Sequence, residues 1–491
     1  MSMDTDCMDI DSINIPPPEI PGSGLNPPKL LSATKCPINR LSRETLYYIF
    51  RYLCDDVDSL CEAARVCHRW HSQAEPLIYH TITTAVYDQL PLPRRSFVIS
   101  TLRDFLEDRK RAEDRASVRR MVVYYEAAQQ RTPVSQTPSR GKNSARKPLS
   151  PVQNKNDAEF RDTVAHVFHM LQQWNPPIKI QLDFVISYTL ARSDPLPLGL
   201  DGLNELDEPK LITFPTIKCC QCLTFDYKDE EDVFQPIWEA TPFHIAQYCE
   251  GLTTLRVNTD AFRRQGHQAS LPSRRDVFAK SLDGLPATLE NLTVRAVGVS
   301  IPHVLDLFGP DEDPFSYRML NLSMQLYTLE LYNVTLALDF WCPLDDNHRV
   351  KRAPPIWPNL RRIISVDNCL VEGSGGLSNS AGYRPVFFSH LNKLLTSLGY
   401  AVKHMPQLDF MKYAISSVPK PIAQFVVVRK NDGTAKATLS CSCPIEHHWV
   451  AQESMVAAWG ASLALAFQSS HVLGFPTRDV QVAYDPWPPR P

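Results

Sequence analysis

Two groups of cysteine and histidine have spacings that metal or thiol chemistry uses. Cys441-Ser442-Cys443 is followed by His447 and His448, which together could supply two thiolates and two imidazoles to zinc. Cys219, Cys220 and Cys222 contain a C-x-x-C spacing, found in redox pairs and metal knuckles. Both read better as packing. Structural zinc sites favour a regular two-residue gap, and Cys219 to Cys222 lead into a strand pattern rather than a helix N-terminus that would lower a thiol pKa. His68 and His71 belong to no H-E-x-x-H pair. The loop Glu372-Gly373-Ser374-Gly375-Gly376 lacks the following lysine and helix of a phosphate cradle. The acid runs Asp311-Glu312-Asp313 and Asp345-Asp346 lie among prolines and read as solvated turns. The expectation is no catalytic residue, no metal and no cofactor.

The elements that would have to position any site point the same way. At 491 residues, the chain exceeds the size at which one core stops growing, so two or more units are expected. Prolines number 41 against 18 glycines, which favours many rigid corners over long helices. A net charge of −3 argues against a whole-protein nucleic-acid binder. Thirteen cysteines, an odd count, with no apolar stretch near the start, suggest a reducing setting, cytoplasmic or nuclear. The apolar run from Met455 to Phe467 is broken by Gly460 and too short for a bilayer, so no membrane span is expected.

Along the chain, residues 1–36 carry five acids, no base before residue 29, and too few large apolar groups to repay ordering; they read as disordered. Residues 37–80 form a first helical domain. Residues 81–420 form an α/β domain, with a strand at Ile82 to Val86, surface helices at Ser96 to Asp108 and Ser117 to Ala127, and a disordered insertion at 129–156. A helical stripe through Phe160, Val164, Phe168, Leu171 and Trp174 follows, then a strand at Ile178 to Ile186. Within the insertion, Arg140 to Lys147 is a basic run, and Thr132, Thr137 and Ser150 each precede proline, so phosphorylation there would change its charge. Residues 421–491 read as a cap: a hairpin of Ala423 to Arg429 and Lys436 to Cys443, then a helix from Gln452 to Phe467.

From residue 220 a triplet of apolar residues recurs at positions one, four and six: Cys220, Leu223, Phe225; Leu252, Leu255, Val257; Leu289, Leu292, Val294; Leu326, Leu329, Leu331; Leu360, Ile363, Ser365; and Met405, Leu408, Phe410. Helical text lies between, as at Phe243 to Cys249, Val299 to Phe308 and Phe387 to Val402. The triplets resemble the L-x-x-L-x-L core of leucine-rich repeats, with an uneven period. That resemblance implies an irregular α/β solenoid in which each repeat buries its apolar face on its neighbours.

The first helical domain is the most informative stretch. In residues 41–79, Leu46, Ile49, Phe50 and Leu53 make an apolar stripe that so small a segment cannot satisfy alone. Leu41, Glu44, Ile49, Phe50, Leu53, Val66, Cys67, Trp70, Leu77 and Tyr79 stand in the order of the F-box, with Ser42 where that family usually has proline. A serine suits the same junction as an N-cap. The resemblance is to F-box proteins with repeat domains, of the kind abundant in filamentous fungi. It implies docking on the Skp1 adaptor through Leu41, Ile49, Phe50, Leu53, Val66 and Trp70, association through it with a cullin, and delivery of an unidentified protein substrate to a ubiquitin ligase without catalysis by this chain. Open alternatives are a scaffold acting outside a ligase and a helical subdomain with no outside partner.

Overall fold

The computed structural model describes residues 41–53, 56–85, 96–107, 116–127, 151–174, 179–188, 213–227, 237–260, 271–297, 313–345, 347–367, 383–417, 420–429, 435–441, 453–459, 466–472 and 475–483. The chain divides into two compact units, Met1–Ala74 and Glu75–Pro491. The first holds α1 (Arg43–Arg51), α2 (Val57–Val66) and the start of α3 (His68–Ile78). The glycine-rich loop at 372–376, the His447-His448 pair, the acids Asp311 and Glu312, the helix expected at Val299 to Phe308, the N-terminal 36 residues and most of the insertion lie outside the described residues.

The second unit is built on one sheet. Its strands in chain order are β1 (Thr81–Ala85), β2 (Ser96–Val98), β3 (Arg120–Ala127), β4 (Ile180–Tyr188), β5 (Cys220–Tyr227), β6 (Thr254–Asp260), β7 (Asn291–Val297), β8 (Thr328–Tyr332), β9 (Arg362–Asp367), β10 (Phe410–Ser417), β11 (Lys420–Arg429), β12 (Ala435–Cys441), β13 (Ala466–Val472) and β14 (Phe475–Ala483). The spatial order is β2-β1-β3-β4-β5-β6-β7-β8-β9-β10-β11-β12-β14-β13. Pairing is parallel as far as β10 and antiparallel beyond it. The connecting helices are α4 (Ile99–Glu107), α5 (Pro151–Gln173), α6 (Ala240–Ala246), α7 (Leu271–Leu282), α8 (Pro314–Ser323), α9 (Tyr383–Val402) and α10 (Glu453–Trp459). An α/β solenoid with an antiparallel, helix-bearing C-terminal cap results, as the triplets imply.

Register explains why the strands form where they do. Ile82, Met121, Leu182, Leu223, Leu255, Leu292, Leu329, Ile363 and Met411 face one another across successive strands, and all are buried. Two residues on, Thr84, Val123, Phe184, Phe225, Val257, Val294, Leu331, Ser365 and Tyr413 make a second buried row. Because strand side chains alternate with period two, only this register puts both rows inside. The strand starts share a second signature: the carbonyls of His80, Thr253, Glu290, Tyr327 and Arg361 each accept two consecutive N–H groups from the next parallel strand to join. Behind the sheet, Phe243, Phe278 and Phe315 stack from α6 through α7 to α8, with centroids 5.1 and 4.4 Å apart.

Five expectations need correction. The sixth triplet is Leu408, Met411 and Tyr413, three residues later than the apolar pattern suggests, because Ile363 pairs with Met411 and Ser365 with Tyr413. The segment expected as a helix at 117–127 is mostly β3: Met121, Val122 and Val123 are all buried, and a surface helix could not bury three consecutive apolar residues. Residues 96–98 form a strand before α4, paired in parallel with β1, and the helix expected to follow the insertion already begins at Pro151, inside 129–156. The helix expected from 452 to 467 is seen over Glu453–Trp459 and does not reach Phe467, because residues 466–472 and 475–483 form an antiparallel pair that joins β12. The alternation of Asp479, Val480, Gln481 and Val482 is a strand period that charge and proline content obscured.

Candidate partner-docking surface

The first two helices of the first unit start at side-chain caps. The Ser42 hydroxyl accepts from the Thr45 N–H at 3.1 Å, satisfying an orphan donor of α1, and the Asp56 carboxylate does the same for Ser59 at 3.1 Å. Hydrogen bonding to Ser42 holds the Glu44 carboxyl below its usual range, and hydrogen bonds from Ser59 do so for Asp56. Both acids sit where the positive end of a helix dipole favours negative charge. Ser42 thus does by capping what proline would do by a fixed φ.

From these starts the inner faces follow. Leu46 and Phe50 are one turn apart on α1 and buried, as are Leu60 and Ala63 on α2. The Phe50 ring meets Trp70 edge to face with centroids 5.3 Å apart. The Arg69 guanidinium donates to the Leu41 carbonyl, tying the start of α1 to α3.

Part of what remains outside is apolar. Ile49 is 40% exposed and Val66 59%, both on the first unit and both among the six residues the F-box resemblance points to. Leu41 and Leu53 are half-buried, as is Trp70, whose indole N–H has no acceptor among the described residues. Phe50 is only 1% exposed, so it can serve docking by fixing α1 rather than by touching a partner. Two residues missed in the sequence stand out more than any of the six: Tyr48 is 60% exposed and Tyr52 90%. Tyr48 and Ile49 are exposed on α1 beside the buried Leu46 and Phe50, with Tyr52 following at the C-cap, so an otherwise charged outer side of Arg43, Glu44 and Arg51 carries an apolar patch.

The cysteines at the start of β5 are placed for packing. Cys219 and Cys220 are buried at the start of β5, beside buried Cys249. Burial, with the neighbouring Cys220 adding to it, pushes the Cys219 thiol up to about 12. The hydrogen bond with Cys249, then burial, pushes Cys220 up too, and burial raises Cys222. Raised thiols are poor nucleophiles and poor ligands. Among the described residues no three His, Cys, Asp or Glu side chains are grouped to hold a metal ion, and no helix is long and apolar enough to cross a membrane.

Asp313 is not the solvated turn residue its sequence context suggests. It caps α8 and is buried, with Arg275 donating to both carboxylate oxygens at 2.6 and 2.7 Å and to the Thr335 carbonyl at 2.7 Å. Burial alone would raise its carboxyl; the Arg275 hydrogen bonds and charge, with those of Ser316, outweigh that and hold it low. Asp345 holds its own turn, accepting from the N–H groups of Asn347 at 2.9 Å and Arg349 at 2.7 Å.

Residues 39–85 match the F-box-like family. No curated protein and no solved structure matches the chain.

Proposed function

We propose that this chain is the substrate-recognition adaptor of a Skp1–cullin–F-box ubiquitin ligase. The observation that carries the reading is the F-box-like match at residues 39–85, on a three-helix unit whose first helix leaves Tyr48, Ile49 and Tyr52 uncovered. Proteins with this domain are typically non-catalytic adaptors. In this reading Ile49 and Val66 meet the Skp1 adaptor directly, Leu41 and Leu53 line the edge of the contact, and Phe50 with Trp70 sets the height of α1. Tyr48 and Tyr52 join the same surface. The leucine-rich-repeat-like sheet unit holds the protein substrate near a ubiquitin-loaded enzyme, so rate comes from raised effective concentration rather than from side-chain chemistry.

Copurification is the test. The tagged chain should bring down the Skp1 adaptor and the cullin together, and Leu41→Ala with Ile49→Ala should release both. Adaptor without cullin would favour a scaffold outside the ligase, and a folded double variant that retains the adaptor undiminished would remove the site assignment.

A further inference from the structure

The sheet of the second unit has a face that the two buried rows leave outside, and its charge is divided. Towards β3 to β5 the acids on that face are already engaged: Arg120 pairs with Asp183, which also accepts from the Gln181 amide at 2.9 Å, and Asn258 donates to Asp226 at 2.6 Å. From β6 to β10 the face turns basic. Arg256, Arg295 and Arg362 are exposed and Lys412 is half-buried, one each on β6, β7, β9 and β10. Register fixes their places: Arg256 lies opposite Thr293, Arg295 between Asn258 and Tyr332, Arg362 between Thr328 and Phe410, and Lys412 beside Ile364. Of the acids that strand parity puts on this face from β6 to β10, Glu330 is spent on Arg362 at 2.9 Å and on the Tyr332 hydroxyl at 3.3 Å, and Asp260 stands at the far end of β6, in register with Val297.

We propose that this face of β6 to β10 holds an extended segment of the substrate protein rich in aspartate and glutamate; the inference rests on the adaptor reading above. Arg256, Arg295 and Lys412, with Arg362 beside the carboxylate it already holds, are spread over five neighbouring strands and cover about 19 Å at the usual strand spacing. Single charges distributed at that pitch match a series of single carboxylates, whereas one phosphate would need them to converge. Glu330 shows what such a carboxylate does here: it is seated between a guanidinium and a tyrosine hydroxyl. Arg295 lies over the Tyr332 ring at 4.9 Å and Arg362, whose Nε already donates to Glu330, over Phe410 at 4.8 Å, so both guanidinium groups are held in place. The flanking Thr254, Asn291, Thr293 and Thr328 are short, leaving the cations proud of the face. Arginine and aromatic side chains together are the composition of binding hot spots.

The probe is a fluorescein-labelled peptide of alternating glutamate and glycine, with a serine-glycine peptide of equal length as reference, titrated with the full chain and read by anisotropy. Arg256→Glu with Arg295→Glu should weaken the acidic peptide by about tenfold or more, since it replaces attraction by repulsion at two places. Lys280→Glu with Arg349→Glu changes net charge equally away from this face and should leave binding within about twofold. Equal loss in both variants, no preference over the serine-glycine peptide, or binding confined to a phosphoserine peptide or a single-stranded RNA oligomer would overturn the proposal. Adaptor copurification on the same preparations separates the two readings. Failure there with the acidic preference intact removes the ligase role and leaves the surface; the reverse removes only the surface.

Discussion

Replacing Ile49 and Val66 together by alanine tests the docking surface with a magnitude the structure supplies. Fully burying a side chain of this kind is worth about 1.5–3 kcal/mol. Only the part still exposed in the free unit can contribute on binding. At 40% exposure Ile49 has about 0.6–1.2 kcal/mol left to gain, and at 59% Val66 has about 0.9–1.8. Their sum, about 1.5–3 kcal/mol, corresponds to a Kd raised by about 10- to 150-fold. The measurement is calorimetric titration of the purified Skp1 adaptor into each form of the full chain. Because both side chains are also partly covered in the free unit, the unfolding temperature should fall modestly, while far-UV circular dichroism should stay close to that of the parent. Phe50→Ala is the contrast: at 1% exposure it should destabilise the helical unit by about 3–5 kcal/mol, losing adaptor binding through loss of fold. A folded Ile49→Ala, Val66→Ala chain that binds the adaptor within about twofold of the parent would refute the reasoning.

Three further outcomes are expected from the second unit. Asp313→Asn should lower stability by about 3–5 kcal/mol in denaturant titration, because it leaves the Arg275 charge buried without its carboxylate. Since the folded carboxyl is held below its unfolded value, the parent's advantage is fully present above the usual carboxylate range and shrinks as pH falls through the folded pKa, so the two denaturation midpoints should converge only in acid. Gly399→Ala puts a methyl group within about 2.8 Å of the Trp459 indole, which packs on α9 and donates to the Leu395 carbonyl at 2.8 Å; thermal unfolding should show a cost of about 1–3 kcal/mol, and an unchanged midpoint would mean that α10 is not held as described. Under native conditions Cys61 and Cys67 should react with a maleimide well before Cys219 and Cys220, as peptide mapping by mass spectrometry would report, because the latter are buried and their thiols are raised.

Legibility in the sequence followed the range of each interaction. The cap at Ser42, the inner stripe of α5 and the triplets from Cys220 to Leu331 depend on residues a few positions apart, and their spacing states the period directly. The sixth triplet slipped because Met405, Leu408 and Phe410 satisfy the same local pattern as Leu408, Met411 and Tyr413; only the pairing of Met411 with Ile363 chooses between them. β3 was hidden because its charged ends, Arg119, Arg120 and Glu126, mimic a helix surface while its middle is buried.

By itself the sequence determined that a short helical unit near the start carries more apolar surface than it can bury, and that a long repeating α/β unit follows. Both are matters of local period and composition. Tertiary structure decided which side chains were left over. It turned Phe50 inward and left Tyr52 out, joined Arg275 to Asp313 across 38 residues, and lined up Arg256, Arg295, Arg362 and Lys412 on one face. Exposure and register arise from contacts between segments far apart in the chain, and no spacing within a segment encodes them.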